Sequence, residues 1–279
     1  ALGIADANSM AGVVRLHMEA KALALRPVIG CRIETVEGLT FLAYPLDRAA
    51  YGRLCHLISA GRMGTLAGDW QDKGVCEISL GMLAQHCEGV QLVLVPPVEL
   101  AAQLTILVES NVVPLPLAGG VRGGSVFPSD APGPEGPTPS PSCKREGSFT
   151  APFPQLLPHL TQQLPTLKHI AAAHLYTGDD TARINALDAV ARENGLSTLA
   201  TNDVLYHAAH RRPLQDVMTA IRHKTTVAMA GHLLEPNAER HLKSPEEMQR
   251  LFAEWPHAIA AAREVADACR FSLEELQYE

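Results

Sequence analysis

Three apolar runs of this chain finish in side chains able to hold a cation or carry a proton. "LGIAD" ends in Asp6, "HIAAAHLY" carries His174 near its end, and "LATND" ends in Asp203 with His207 and His210 close behind. Carboxylates and imidazoles delivered by separate segments are what a divalent metal needs, because the ion must collect donors from several directions. An ion held this way activates water or orients a phosphate. Each residue also has a plainer reading. Asp6 is placed to stabilise the start of a following helix, and Asn202 and Asp203 to hydrogen-bond the turn after a strand. His174 fits a satisfied buried histidine, and His207 and His210 fit plain loop histidines.

The elements that must position these residues alternate along the chain. Strands are expected at Leu2–Ala5, Pro27–Ile33, Leu39–Ala43, Gln91–Val95, His169–Leu175 and Leu196–Val204. Several are apolar throughout, which implies burial on both faces of a parallel sheet. Helices are expected over 9–25 from a Ser9 cap, over 47–60 from Asp47, over 97–109 after Pro96-Pro97, and over 179–194, where two aspartates open the helix and Gly195 closes it. Repeated strand–helix units make this an α/β fold, a barrel or an open sheet, and function in such folds collects at the carboxyl ends of the strands. Residues 118–152 break the rhythm with Pro, Gly and Ser and are expected to be a disordered insertion. The tail from Ser244 reads as almost wholly helical, opened by Ser244-Pro245-Glu246-Glu247.

Composition narrows the function classes. The chain has 279 residues with 23 Lys and Arg against 30 Asp and Glu, a net charge of −7 that argues against binding nucleic acid over the whole surface. One basic cluster remains: Arg211, Arg212, Arg222 and Lys224 gather around one helix and could face nucleic acid or a neighbouring domain, or form a solvated face. The six cysteines form no C-x-x-C pair, as expected of free thiols in a reducing cytoplasm. No run is long enough to cross a membrane. The chain opens without Met on "ALGIAD", which reads as a strand already ending and predicts a lost upstream piece. There is no P-loop, no G-x-G-x-x-G after a strand and no G-x-S-x-G elbow.

The run from "HLYTGDDTARINALDAVARENGLSTLATNDVLYHAAHRRPLQDVMTAIRHKTTV" through "NAERHLKSPEEMQRLF" and "CRFSLEELQYE" strongly resembles the N-terminal region of bacterial error-prone DNA polymerases of the C family. "GIADANSMAGVVRLH", "RPVIGCRIE" and "YPLDRAAYGRLCHLISAGRM" are similar to the beginning of the same family, so the resemblance spans nearly everything except 118–152. It implies a PHP (polymerase and histidinol phosphatase) domain: a distorted (β/α)7 barrel, its first strand missing here. On that reading residues 1–117 and 153–232 are its two parts, and 233–279 is a helical extension toward the polymerase body.

The resemblance also bears on the metal. The family's Asp-His-Gly motif is similar to Asp6-Ala7-Asn8, its Ile-Gly-Cys-Glu to "IGCR" ending in Arg32, and its Asp-Val-His to Asp203-Val204-Leu205. Ligand chemistry is thus lost at Ala7, Arg32 and Leu205, and a cation at position 32 repels a metal. A multinuclear Zn2+ or Mn2+ cluster is expected to be absent. Asp6, His174, Asp203 and His207 are the set left for one weak ion. The resemblance implies a parent enzyme, a cytoplasmic DNA polymerase that uses Mg2+, tolerates lesions in DNA repair and works with accessory proteins. Its palm aspartates are not in this chain, for which a mainly structural role against the polymerase body follows. A residual metal-dependent phosphoesterase or exonuclease, and a module that docks a partner, are the alternatives.

Overall fold

The computed structural model describes residues 1–63, 74–109 and 146–276. In order these form β1 (Leu2–Ala7), α1 (Val13–Ala22), β2 (Pro27–Glu34), β3 (Thr40–Pro45), α2 (Arg48–Met63), α3 (Leu80–His86), β4 (Val90–Val95), β5 (Gln103–Glu109), β6 (Glu146–Pro152), α4 (Phe153–Gln163), β7 (Leu167–Ala172), α5 (Asp180–Glu193), β8 (Ser197–Ala200), α6 (Arg212–Arg222), α7 (Val227–Ala230), α8 (Pro245–Leu251) and α9 (Pro256–Ala268). A six-stranded sheet runs β1-β2-β3-β4-β7-β8, and β5 and β6 pair separately. The β1/β2, β4/β7 and β7/β8 pairs are parallel, while β3 runs antiparallel to both neighbours. The fold is thus mixed α/β, as the strand–helix rhythm implies.

Side chains alternate across a strand, and the sheet uses both faces. Cys31, Ile33, Phe41, Ala43, Leu92, Leu94, Ile170 and Ala172 join the main core, together with residues of α2 to α5. Val28, Leu42, Val93, Ala171 and Leu199 form a second core with Ala261, Val265 and Cys269 at the α9 end of the chain. Burying both faces explains why the strands read as continuous apolar runs.

The sheet curls. The Tyr44 ring on β3 lies across β2, so closely that a Cβ added to Gly30 would stand 2.4 Å from it, and it also reaches Gly3 on β1. Arg32 on β2 meets Asp203 just beyond β8. β2 and the far end of the sheet are therefore neighbours in space. A cleft of about 270 Å³ lies between the two edge strands, lined by Leu2 and Gly3 on one side and by Leu199, Ala200 and Thr201 on the other.

Several sequence expectations need correction. Residues 97–109 are not a helix: Gln103–Glu109 is a strand paired along its length with Glu146–Pro152. Pro96-Pro97 read as a helix start, but the aliphatic and β-branched "LTILV" favours a strand. The expected insertion at 118–152 thus gives up its last seven residues to β6, while 118–145 lies outside the described residues. The first helix starts at Val13, not Ser9. β7 stops at Ala172 and β8 at Ala200, so His174, Asn202 and Asp203 lie on the loops that follow. The tail from Ser244 is mostly helical, as read, but not one run, because residues 252–255 and 269–272 separate its helices. Its α8 does open as read, with Ser244 Oγ accepting from the Glu247 N–H.

Five cysteines are free thiols, and Cys143 lies outside the described residues. Burial pushes the Cys31 and Cys269 thiols up to about 12. No described helix is long and apolar enough to cross a membrane.

Candidate functional site at the strand ends

Asp203 is the centre of the strand-end face. Its backbone takes the left-handed conformation, at φ +41°, which aspartate tolerates better than most residues, and its N–H donates to Thr201 Oγ1. Both carboxylate oxygens are claimed by cations of this chain. Arg32 Nη1 donates to Oδ1 at 2.6 Å, and Arg240 Nη2 donates to Oδ2. Arg240 Nε also donates to the Asp203 carbonyl at 2.9 Å, and its Nη1 pairs with Glu235 Oε1 at 2.5 Å. Glu34 flanks Arg32 at 3.4 Å. The result is a row of alternating charge, Glu34–Arg32–Asp203–Arg240–Glu235. Its three central side chains are only 15% to 22% exposed, and in such partial burial ion pairs are screened less than at the surface.

Two neighbouring contacts lock the segment that delivers Arg240. Asn202 Nδ2 donates to the carbonyls of Glu239 and His241. Leu205 and Leu242 extend the contact through backbone hydrogen bonds to Arg240 and Tyr206. Lys243 is fully buried at its side chain and returns to Glu239 at 2.9 Å. Burial pushes the Tyr44 hydroxyl up to about 12, with Cys269 and Asp203 acting in the same direction and Arg32 against them.

The four expected ligands do not converge. Asp6 lies in register with Cys31, whereas Ala7 lies opposite Arg32. With side chains alternating, Ala7 shares the Arg32 face and Asp6 takes the other. There Asp6 Oδ2 accepts from the Gly12 N–H at 2.7 Å and holds the start of α1, so its plainer reading is the one seen. A Cβ on Gly12 would come within 2.5 Å of that oxygen.

His174 stands edge-on to Tyr176 at 4.9 Å, while its neighbours Ala173 and Leu175 line the strand-end cleft. His207 and His210 are exposed and stand edge-on to one another, with ring centres 6.0 Å apart. Among the described residues no group of three or more His, Cys, Asp or Glu is placed to hold a metal. The donor set around Asp203 does not fit one either, since guanidiniums take the positions a cation would need.

The cleft beside Asp203 has a volume of about 290 Å³, and Asp179, Asp180, Arg183, Glu235, Asn237 and Arg240 contribute to its wall. Its polar groups are mostly engaged within the fold. Arg183 donates to the carbonyls of Pro97 and Val98. Asp180 accepts from the N–H groups of Leu175, Thr177 and Gly178. Burial alone would raise the Asp180 carboxyl, but those N–H groups and nearby His174 hold it below its ordinary value.

Of the basic cluster, Arg212 turns inward, donating to the Glu235 carbonyl at 2.6 Å, whereas Arg211, Arg222 and Lys224 are exposed. Sequence reasoning missed Arg240 and Glu235, whose charges on an irregular stretch carry no periodic signal. It also missed a seam between α5 and α9. There the buried Asp188 accepts from Thr198 Oγ1 at 2.9 Å and from His257 Nε2 at 2.8 Å, and it pairs with Arg192.

Comparison with known proteins gives this geometry a context. No protein-family model matches the chain. Curated relatives match it from end to end. The error-prone DNA polymerase of Brucella abortus biovar 1 (strain 9-941) is 37% identical over 282 residues, covering 99% of this chain and 21% of the relative. That of Caulobacter vibrioides (strain ATCC 19089 / CIP 103742 / CB 15) is 33% identical over 278 residues, with 99% and 21% covered. Error-prone DNA polymerase 1 of Agrobacterium fabrum (strain C58 / ATCC 33970) is 34% identical over 279 residues, with 100% and 20% covered. The chain spans about one-fifth of the length of these relatives.

Proposed function

From the chain's homology, along its whole length, with one-fifth of the error-prone DNA polymerases, we propose that it is a PHP-type barrel serving as scaffold for a polymerase body. In this barrel the metal positions have given way to an internal ion-pair lock. The observation that carries the reading is Asp203, whose two carboxylate oxygens are held by Arg32 and Arg240. A carboxylate left alone in a partly buried cleft is unstable unless a cation compensates it. A metal protein supplies an ion; here two guanidiniums attached to the chain do so and fix the geometry without any ligand.

The curl of the sheet supports the barrel. Its two edge strands face each other across an apolar cleft, and one further strand pairing with both would close it. DNA synthesis, with its Mg2+, belongs on this reading to a polymerase body outside these residues.

The test is hydrolysis of p-nitrophenyl phosphate and of DNA 3′ ends in Mn2+ or Zn2+. We expect rates at buffer background. Turnover that Asp203→Asn abolishes would establish a residual phosphoesterase and overturn the scaffold reading.

A further inference from the structure

α6 is amphipathic in an inverted sense. Leu214, Val217, Met218 and Ile221 fall at i, i+3, i+4 and i+7, the spacing of a single helical stripe. That stripe faces solvent, at 56%, 45%, 52% and 70% exposure. The helix meets the body through the opposite side: Ala220 is buried, Asp216 is mostly covered and Arg212 bonds to the Glu235 carbonyl. α7 packs against α6 and adds Val227 and Met229, which is 78% exposed. Contiguous apolar surface of this kind marks an interaction face, and the spacing is that of a helix laid into an apolar groove.

Charge decides among the occupants. Arg211, Arg222 and Lys224 are exposed at the two ends of the stripe. A second copy docking on the same face would bring like charges together at the rim. A phosphate backbone would meet the basic ends but leave four aliphatic side chains without a partner. A protein groove with an apolar floor and acidic rim satisfies both. About four-fifths of each polymerase relative lies outside its match to this chain, which leaves a long protein region as the candidate occupant.

We propose that the α6 stripe is the face on which the remainder of an error-prone polymerase docks, through an acid-rimmed apolar groove. This rests on the scaffold reading above. The probe is the portion of the Brucella abortus polymerase that the match leaves out, produced separately and titrated with this chain by calorimetry. Wild type is expected to bind, and Ile221→Glu or Met218→Glu to weaken binding roughly tenfold or more. Binding that both variants leave unchanged overturns the docking face while the scaffold reading stands. No binding by wild type overturns both. A self-associated form, or a complex with duplex DNA, that Ile221→Glu abolishes overturns the assigned occupant.

Discussion

The strand-end face and the α6 face treat their side chains in opposite ways. At the strand ends, five charged side chains from three parts of the chain pair off in a row, and the central Asp203 has no oxygen to spare. On α6, four apolar side chains are about half exposed or more, while the polar side of the helix is turned to the body. The first region pairs its charges within the fold, and the second leaves its apolar side chains open to solvent. A catalytic barrel would show the reverse, with a polar site open to substrate and an apolar surface closed. On the scaffold reading proposed above, the difference places the work of this fold on its outside.

The comparison breaks most readily at Asp203. Asp203→Ala leaves Arg32 and Arg240 facing each other with only flanking glutamates, and urea unfolding should show a loss of about 2–3 kcal/mol. A loss under about 0.5 kcal/mol, the usual size at an unpaired surface position, would show that the row does no internal work.

Acid sharpens it next. Burial by itself would raise the Asp188 carboxyl, but hydrogen bonds from His257 and Thr198 and the charges of His257 and Arg192 hold it below its ordinary 3.8. A carboxyl depressed in the folded state stabilises above its unfolded value, and that contribution is lost as pH falls through the folded one. Stability should therefore fall as pH drops through and below 3.8, and Asp188→Asn should flatten that fall in a pH series of unfolding curves. A wild-type curve no steeper than that of the variant would remove this seam from the account.

The smallest effect belongs to the outer face. Ile221→Glu should change unfolding free energy by less than about 0.5 kcal/mol, because the side chain is mostly open to solvent, at 70% exposure. A loss above about 1 kcal/mol would show that the stripe packs inward and is no docking surface.

How far the sequence reveals this follows from the range of each signal. Periodicity placed β1, β2, β4 and α5 to within a few residues, and α5's opening aspartates and closing Gly195 are local cues. Arg32 drew attention through the family resemblance, and the structure places it on Asp203. Its partner Arg240 was not, because the contact joins β2 to a loop of irregular backbone late in the chain. Asp6 misled for a different reason: it ends a strand beside Ala7, and only the register of β1 with β2 shows which of the two faces Arg32. The strand at Gln103–Glu109 read as a helix because its partner Glu146–Pro152 lies beyond a Pro/Gly/Ser-rich stretch, and such pairing leaves no local trace.

The most direct measurement is a double-mutant cycle on Arg32→Met and Asp203→Ala, followed by urea unfolding in EDTA and again with Zn2+ or Mn2+. An ion pair that replaces a metal should give a favourable coupling of about 1–3 kcal/mol, the same with and without metal. A coupling near zero, or a wild-type stability that rises with metal and loses that rise in Asp203→Ala, would contradict it.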